Sequence, residues 1–401
     1  MQRDILIICD AFPPDFAPRM GYLCRHLDAG YRITVVAAKE GHTTWPIDIQ
    51  RENFSVHQIQ LTSRNRFAAK LQNIGDYLFS RKDRKLCRCA KQLLKGRHFD
   101  LVLCLSYYIF PLLCGEKIAQ HFNIPLCVDL RDIMEQFVQP VGFQKFVQFF
   151  KLRWINNIRR NRILRNASAV TTVSPWHVDV LRRYNSNTHL IYNGFDADVF
   201  KYKEVRTDYF TITYTGRVLD LGLRNPTLLF EALQTMCKDE VFAKALKIRW
   251  FVDEVSMRQV SELSERYHLQ HCTEISRTVS ADRMPDILNE SSIVVVLTNK
   301  ATERGPHGIM TTKFFEALGC EKPVLCVRSD EECLAQVIGQ SKAGVAARNV
   351  GETIEFIKDK FDEWKANGFT HQQVDAEAKA QFSRQSEARQ FAEVMEGLIK
   401  N

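Results

Sequence analysis

Two segments in the second half of the sequence place basic side chains beside glycine, a composition that suits the binding of an anion. The first is Tyr214-Thr-Gly216-Arg217, with Arg224 a few residues later. Gly216 lets a ligand approach the backbone, and guanidinium groups bind phosphate oxygens in bidentate fashion. The alternative is a turn with two solvated arginines, and the spacing alone leaves both interpretations open.

The second segment begins at Gly308 and predicts a short helix from about Thr312, after the apolar run Ile293–Leu297. A helix start attracts anions through its free N–H groups and its dipole, so Lys313 in the first turn is interpreted as serving a bound anion. Glu316 shares the face of Lys313, and its carboxylate suits the two hydroxyls of a ribose. The alternative is an ordinary helix with surface charges.

Charged residues also follow apolar runs in the first half. Asp129, Arg131 and Asp132 lie at the end of the run Pro125–Leu130, as either a salt-bridged strand end or part of an active site. The loop after the first run contains Pro13-Pro14 and lacks the GxGxxG spacing of a dinucleotide-binding loop. This loop is a second candidate for lining a ligand cleft.

Short apolar runs alternate with helical stretches along the chain, a pattern typical of parallel α/β sheets. The first series comprises Ile5–Cys9, Ile33–Ala38, Leu101–Leu105, Pro125–Leu130, Ala169–Val173 and Leu190–Tyr192. The second comprises Phe210–Tyr214, Ile248–Val252, Cys272–Ile275, Ile293–Leu297 and Pro323–Val327. Helix-start signals at Ser174-Pro175, Asn225-Pro226 and Ser256–Gln259 lie between them.

We therefore predict an α/β protein of two tandem doubly wound, Rossmann-like domains facing each other across a cleft. The polar stretch Asp196–Asp208 separates the two series, so the domains are placed at 1–200 and 201–375, and 376–401 is predicted to be helical. Ligands of such sheets bind at the carboxyl ends of the strands. A cleft between two domains favours the binding of two substrates.

Composition excludes several classes of protein. The 401 residues are 45% hydrophobic and 25% charged, ordinary values for a globular chain, and no apolar run approaches the roughly 20 residues of a membrane span. No signal-peptide pattern precedes the first strand, and the 12 cysteines are scattered without zinc spacing, which predicts a reduced cytoplasmic protein without a metal site. The net charge of +8 suits an anionic ligand or surface, and no nucleic-acid recognition motif accompanies it.

These segments, in this order, resemble the retaining glycosyltransferases of family 4, which have the GT-B fold. The similarity runs through the whole chain. It is carried by the Pro13-Pro14 loop with Gly21, Asp129-Leu-Arg-Asp132, Ala169–Ser174, Tyr192–Asp196, Tyr214–Arg217, Lys313-x-x-Glu316, Lys322-Pro323 and Phe382-Ser-Arg384.

The resemblance implies transfer of a sugar from a nucleoside diphosphate sugar to an acceptor hydroxyl, in cell-surface polysaccharide or glycolipid biosynthesis, with no cofactor besides the co-substrate. It assigns catalytic roles to Arg217, Lys313, Arg131 and Asp132. The implied donor-binding residues are Gly216, Arg217, Arg224, His307, Gly308, Ile309, Met310, Thr311, Lys313 and Glu316. The implied acceptor-side loop is Arg19, Met20 and Gly21. The carboxy-terminal helix is expected to cross back onto the first domain.

The sequence departs from the family pattern in three places, one of which is the glycine-rich loop of the first domain, reduced here to Gly21. Gly308 stands where the family has the first glutamate of an E-x7-E motif, and Arg131 stands where it has a histidine. Two alternatives therefore stay open: a nucleotide-sugar-binding protein that has lost catalysis, and a GT-B sugar-nucleotide epimerase, for which no general base is evident.

Two basic segments bear on the acceptor. Phe143–Asn166 contains seven Lys or Arg and no acid, with several aromatic residues on one helical face, and Arg81–Arg97 contains eight basic residues against one acid. Basic aromatic helices bind anionic membranes, so peripheral attachment at the inner membrane face, with a saccharide or lipid-linked saccharide as acceptor, is one interpretation. The other is that the aromatic face packs on its own domain.

Overall fold

The computed structural model describes residues 2–39, 46–63, 72, 75–76, 79–106, 109–133, 135, 157–218, 221, 224–298, 310–327 and 332–400. The chain divides into two compact units, Met1–Tyr192 with Arg384–Asn401 and Asn193–Ser383. Each unit contains one parallel sheet flanked by helices. The predicted α/β class with two doubly wound sheets is confirmed. The chain first leaves one unit for the other after Tyr192, which is slightly before the predicted domain boundary at residue 200.

The sheet of the first unit has the strand order β3-β2-β1-β4-β5-β6-β7, and all neighbouring strands are parallel. The order reverses between β1 and β4. The strands are β1 (Arg3–Cys9), β2 (Tyr31–Ala38), β3 (Phe54–Ile59), β4 (Leu101–Ser106), β5 (Leu126–Leu130), β6 (Ala169–Thr172) and β7 (Thr188–Leu190). The helices are α1 (Pro18–His26), α2 (Arg81–Leu93), α3 (Leu112–Phe122), α4 (Asn157–Asn166), α5 (Pro175–Leu181) and, from the end of the chain, α14 (Arg384–Ile399).

The sheet of the second unit has the order β10-β9-β8-β11-β12-β13, again parallel throughout. Its order reverses between β8 and β11. The strands are β8 (Phe210–Thr215), β9 (Leu246–Val252), β10 (Thr273–Arg277), β11 (Ile293–Leu297), β12 (Val324–Val327) and β13 (Gly344–Ala347). The helices are α6 (Thr227–Met236), α7 (Glu240–Ala245), α8 (Glu254–Arg266), α9 (Met284–Asn289), α10 (Thr312–Gly319), α11 (Glu332–Gln340), α12 (Val350–Asn367) and α13 (Ala376–Gln381), and short 3-10 turns lie at Gln270–Cys272 and Ala281–Arg283.

Central strands are apolar at nearly every position because helices cover both faces of each sheet. In β1 the residues from Ile5 to Cys9 are fully buried, and β11 is buried along its whole length. The ends of these strands are therefore fixed by the core. Residues that directly follow them are placed at a defined edge of the sheet.

Two observed strands, β3 and β13, are absent from the sequence prediction. Both lie at an edge of their sheet. β3 alternates apolar and polar residues, and β13 is four small residues long, so neither forms the continuous apolar run that marks a central strand.

The predicted helix starts have different outcomes. Ser174 is the N-cap of α5 and accepts a hydrogen bond from the His177 N–H, which confirms that prediction. The predicted start at Ser256 is wrong, because Asp253 is the N-cap of α8 and accepts the Ser256 N–H at 3.1 Å. Asp253 directly follows β9, so the helix begins as soon as the strand ends. The predicted single helix at the end of the chain is divided into α13 and α14.

Candidate functional site

The basic side chains predicted in the second unit follow its two central strands. Gly216 and Arg217 come directly after β8, and α10 carries Lys313 after β11. Strands β8 and β11 are neighbours, and the strand order reverses between them. The carboxyl ends of the strands at such a reversal form the crevice where doubly wound sheets bind ligands.

Gly216 is the residue over which the Lys313 side chain lies. Its φ of +119° belongs to the region that favours glycine. A Cβ atom at Gly216 would be 2.1 Å from Lys313 Cε and 2.7 Å from Nζ. The missing side chain therefore makes the space that the ammonium group occupies at the end of β8.

The Lys313 ammonium lies in a cluster of like charge. Burial lowers its pKa from the ordinary value, and repulsion from Arg224 and, more weakly, Arg217 lowers it further, while Glu316 opposes the change. These four side chains are therefore close enough to interact, although they come from segments about 90 residues apart. A site with three cations and one carboxylate favours an anionic ligand.

The loop after β8 is held by hydrogen bonds to one carbonyl group. The Tyr214 hydroxyl donates to Arg217 O at 2.7 Å, and Arg224 Nη1 donates to the same oxygen at 3.0 Å. Burial raises the pKa of Tyr214 to about 12, so its hydroxyl stays a donor at neutral pH. The Val218 N–H donates to Ser256 Oγ at 3.0 Å. The backbone is thereby fixed while the Arg217 side chain remains 71% exposed.

Asp253, which was not among the predicted site residues, is the N-cap of α8 and has a carboxylate oxygen 3.6 Å from Arg217 Nε. A hydrogen bond from Ser256 holds its pKa below the ordinary value, and Arg217 adds to this effect. Asp253 follows an apolar run, Ile248–Val252, in the same way that Arg131 and Asp132 follow theirs. Its position directly after an apolar run is therefore a sequence signal that could have identified Asp253 as a site residue.

The start of α10 supplies backbone donors beside the cluster. Thr311 is its N-cap, and the Thr311 side chain makes no capping hydrogen bond. Met310 is buried and anchors the segment to the core. Three further predicted donor residues, His307, Gly308 and Ile309, lie outside the described residues.

The predicted pair in the first unit lies at the corresponding edge of the other sheet. Arg131 and Asp132 follow β5, and Arg131 Nη2 is 3.2 Å from a carboxylate oxygen of Asp10, which follows β1. β4 separates these strands, so the ion pair spans the end of β4 at the reversal of strand order. The salt-bridged strand end that the sequence offered as one interpretation is therefore present, and the active-site role of Arg131 and Asp132 stays a prediction.

The predicted loop position of Arg19, Met20 and Gly21 is wrong. All three lie in α1 and are buried. Arg19 donates to both carboxylate oxygens of Asp129, at 2.9 and 3.1 Å, and to Glu387 at 2.6 Å. The helix starts early because Pro18 fits its first turn. The Arg19 charge is thus used within the first unit, to bind α14 to α1 and β5.

No group of three or more His, Cys, Asp or Glu side chains in the described ranges has an arrangement that could hold a metal ion. Among the same residues, none of the helices combines the length and the apolar composition needed to cross a bilayer.

Residues 19–199 match the family model described as Glycosyltransferase Family 4. No curated protein matches the chain.

Solved structures with the same architecture cover almost the whole chain. Sucrose-phosphate synthase from Thermosynechococcus elongatus superposes with a TM-score of 0.66 at 15% identity, covering 100% of both chains. HepE from Anabaena in complex with UDP gives 0.63 at 15% identity, covering 99% of this chain and 100% of its own. The catalytic domain of starch synthase IV from Arabidopsis thaliana, bound to ADP and acarbose, gives 0.61 at 10% identity, covering 100% of both chains. At these identities the likeness establishes the fold.

Proposed function

We propose that this protein, whose residues 19–199 match the Glycosyltransferase Family 4 model and whose fold is GT-B, is a glycosyltransferase that transfers a sugar from a nucleoside diphosphate sugar to an acceptor hydroxyl with retention of anomeric configuration. The acceptor is a saccharide or a lipid-linked saccharide of cell-surface polysaccharide or glycolipid synthesis. The nucleotide sugar is a co-substrate, and we assign no further cofactor.

The observation that carries the proposal is the close approach of Lys313 to Gly216 at the end of β8, beside the loop in which Arg224 donates to Arg217 O, with Glu316 three residues further along α10. Guanidinium groups and a helix start are the groups that bind diphosphates in proteins. HepE was solved with UDP and with UDP-glucose, and the starch synthase with ADP, which supports a nucleoside diphosphate as the ligand of this fold.

The chemistry of the cluster follows from where charge develops. When the bond between the anomeric carbon and the diphosphate breaks, negative charge grows on the leaving oxygens. Fixed cations and amide dipoles aimed at those oxygens stabilise the transition state more than the ground state. Lys313 suits this role because its surroundings already disfavour its charge, and an anion between it and the arginines relieves their repulsion.

Glu316 is assigned to the ribose. It lies three residues after Lys313 on α10, and its charge is felt at the Lys313 ammonium. A carboxylate one helical turn from the proposed diphosphate-binding lysine can accept hydrogen bonds from both ribose hydroxyls of the same nucleotide.

The first unit is assigned to the acceptor and to the reacting carbon. Arg131 and Asp132 follow β5 at the carboxyl edge of that sheet, where ligands of doubly wound sheets bind. The ion pair with Asp10 holds the Arg131 guanidinium in one position, and a group that acts on a substrate must be held in this way.

Replacement of single cations tests the proposed donor site. We expect Arg217→Ala and Lys313→Ala each to lower turnover of a nucleoside diphosphate sugar by about 10²–10³, since each removes one group that stabilises the leaving diphosphate. Arg258→Ala and Lys358→Ala are the matched controls, because both residues are exposed on other helices of the same unit. Near-normal turnover in the first two variants would contradict the proposed donor site.

Product analysis separates transfer from the alternatives. Nuclear magnetic resonance of the anomeric proton should show the same configuration in donor and product. Conversion of the donor sugar without acceptor would indicate an epimerase. Binding of UDP, ADP or GDP, seen as a raised melting temperature, with neither transfer nor donor hydrolysis would indicate a binding protein.

We further propose that α2 brings the enzyme to an anionic membrane that carries the acceptor. Arg84, Arg88 and Lys91 are exposed along one side of this helix, while Asp83, the single acid of the segment, is buried. Burial raises the pKa of Asp83 to about 7. The second basic segment is Phe143–Asn166, and its residues 143–156 lie outside the described residues. In the described part, the apolar side chain of Ile158 is 58% exposed.

Flotation with liposomes tests the membrane proposal. We expect binding to vesicles that contain anionic lipid, and loss of binding when Arg84, Arg88 and Lys91 are all replaced by Gln. Replacing three exposed basic residues of the second unit, Arg258, Arg348 and Lys358, is the control for net charge. Equal flotation of the two triple variants would overturn the assignment to α2.

A further inference from the structure

Two cysteine thiols of the second unit contact each other away from the donor site. Cys237 is the C-cap of α6, and Cys272 ends the 3-10 turn that leads into β10. Both side chains line the same cavity, and each thiol shifts the pKa of the other, so the two groups are neighbours in the fold. They are 35 residues apart in the sequence, so the fold and not the chain brings them together.

The contact is at the wall of a cavity of about 400 Å³. Cys237 is half-buried and Cys272 is 5% exposed, and both line this cavity together with Lys244, Lys247 and His271. The space is in the range of small-molecule sites, so a small reagent can reach Cys237 without unfolding the unit.

The surroundings divide the roles between the two sulfurs. Cys237 is the more exposed of the two thiols and Cys272 is buried, so a reagent in the cavity reaches Cys237 first. The pKa shifts have the same sense, because the neighbouring Cys272 lowers the pKa of Cys237 while Cys237 and burial raise that of Cys272. Cys237 is therefore the thiol that attacks. Cys272, which also lies 3.3 Å from Leu269 O, is the thiol that resolves the intermediate.

We propose that Cys237 and Cys272 are a modification site, a dithiol that closes to a disulfide on reaction with a low-molecular-weight disulfide. The Cys237 thiolate attacks one sulfur of the reagent, forming a mixed disulfide and releasing one thiolate. Cys272 then loses its proton and attacks Cys237 Sγ, which releases the second thiolate. Two protein thiols are oxidised, and one reagent disulfide is reduced to two thiols.

A second pair in the first unit provides an internal comparison. Cys87 and Cys114 make the same thiol–thiol contact between α2 and α3. Both residues are buried, at 6% and 0% exposure. Because access differs while the contact is the same, we expect the Cys237–Cys272 pair to oxidise first.

The experiment uses the full chain and oxidised glutathione as the probe. After exposure, free thiols are blocked with N-ethylmaleimide and the peptides are mapped by mass spectrometry. We expect a cross-link between the peptides that contain Cys237 and Cys272, two hydrogens lighter than the reduced pair and reversed by dithiothreitol. The oxidised protein should also melt at a higher temperature than the reduced one, since the bond joins the end of α6 to β10.

Single variants test the division of roles. Cys272→Ser should accumulate a stable glutathione adduct on Cys237, and Cys237→Ser should leave Cys272 without an adduct. Cys87→Ser is the control and should leave the cross-link unchanged. A glutathione adduct that persists on Cys237 in the wild type, no reaction at either residue, or earlier closure of Cys87 with Cys114 would each overturn the proposal.

Discussion

At the residue scale, the contact between Gly216 and Lys313 shows how a backbone position controls the proposed site. The ammonium group of Lys313 fits at the end of β8 only because residue 216 has no Cβ atom. The two basic segments that the sequence singles out are therefore joined by one close approach. Spacing along the chain gives no sign of it, since the residues are far apart in the sequence.

The first prediction concerns Gly216→Ala. The new methyl group would displace the Lys313 side chain, and a non-glycine residue at φ +119° costs about 1–3 kcal/mol. We expect the variant to remain folded with a lower melting temperature and to lose most of the rise in melting temperature caused by a nucleoside diphosphate. Gly339→Ala is the control, because nothing lies within 4 Å of a Cβ atom there. A full ligand-induced rise in Gly216→Ala would contradict the arrangement.

The second prediction follows from the lowered pKa of Lys313. Below its folded pKa the ammonium is charged with or without ligand, so binding takes up no proton there. At a pH above that value the free protein has a neutral amine, and a bound diphosphate raises the pKa and draws a proton onto it. We expect binding enthalpies at alkaline pH to vary with the ionisation enthalpy of the buffer. Lys313→Met should abolish the variation, and its persistence would assign the proton to another group.

Some charged side chains that carry the resemblance have buried partners and therefore a structural role in the fold. Lys322 is 1% exposed, and its ammonium donates to Thr370 O at 2.8 Å. Arg19 and Asp129 form a buried ion pair within the first unit. The sequence shows that a charged residue occupies a position, but only its burial and its partners show whether the charge is used within the core.

At the element scale, α14 is tied to α1 and β5 by buried charges. Glu387 of α14 accepts from Arg19 at 2.6 Å and also from Arg384, and Arg19 pairs with Asp129. Burial opposes the charge of Arg19, but Asp129 and Glu387 raise its pKa above the ordinary value. Each charge in this network is compensated by a neighbour, so the removal of one leaves another unpaired.

The third prediction compares two glutamates of α14. Glu387→Ala should lower the free energy of unfolding of the first unit by about 3–5 kcal/mol, because it leaves buried positive charge uncompensated. Glu396→Ala should cost less than about 1 kcal/mol, since its pair with Arg3 is 3.3 Å long and both side chains are partly exposed. Urea unfolding followed by tryptophan fluorescence measures both. Equal costs for the two variants would show that the buried network does not anchor α14.

Elements differ in how much of their structure the sequence reveals. Central strands such as β1 and β11 are predicted because burial on both faces makes them continuously apolar. The edge strand β3 is not predicted, because it is not continuously apolar. The N-cap of α8 is Asp253 and not the predicted Ser256, because the position of the residue in the fold determines which of several possible capping residues begins the helix. Of the proposed donor cluster, Gly216 and Arg217 were predictable because they directly follow the central strand β8, and Lys313 was predictable because it lies in the first turn of the helix that follows β11.

At the scale of the whole molecule, the chain passes between its two units twice, after Tyr192 and after Ser383. On the side of the second unit these connections are paired. The Phe195 N–H donates to Phe382 O at 3.0 Å, and a Cβ atom at Gly194 would lie 2.3 Å from that oxygen. This close approach gives a physical reason for the Tyr-Asn-Gly-Phe and Phe-Ser-Arg patterns, which are distant in sequence and adjacent in the fold.

The fourth prediction concerns the residues that return to the first unit. Ala388, Phe391 and Met395 of α14 are buried in the core beside β1, and large apolar side chains stabilise a fold by ~1.5–3 kcal/mol each when fully buried. A chain ending at Ser383 should therefore lose hydrogen-exchange protection in β1, β4 and α1. Protection in β8 and β11 should persist, because the second unit keeps all its elements. Removal of Lys400 and Asn401 alone should change neither unit. Unaltered protection of β1 in the shortened chain would show that the first unit does not require α14.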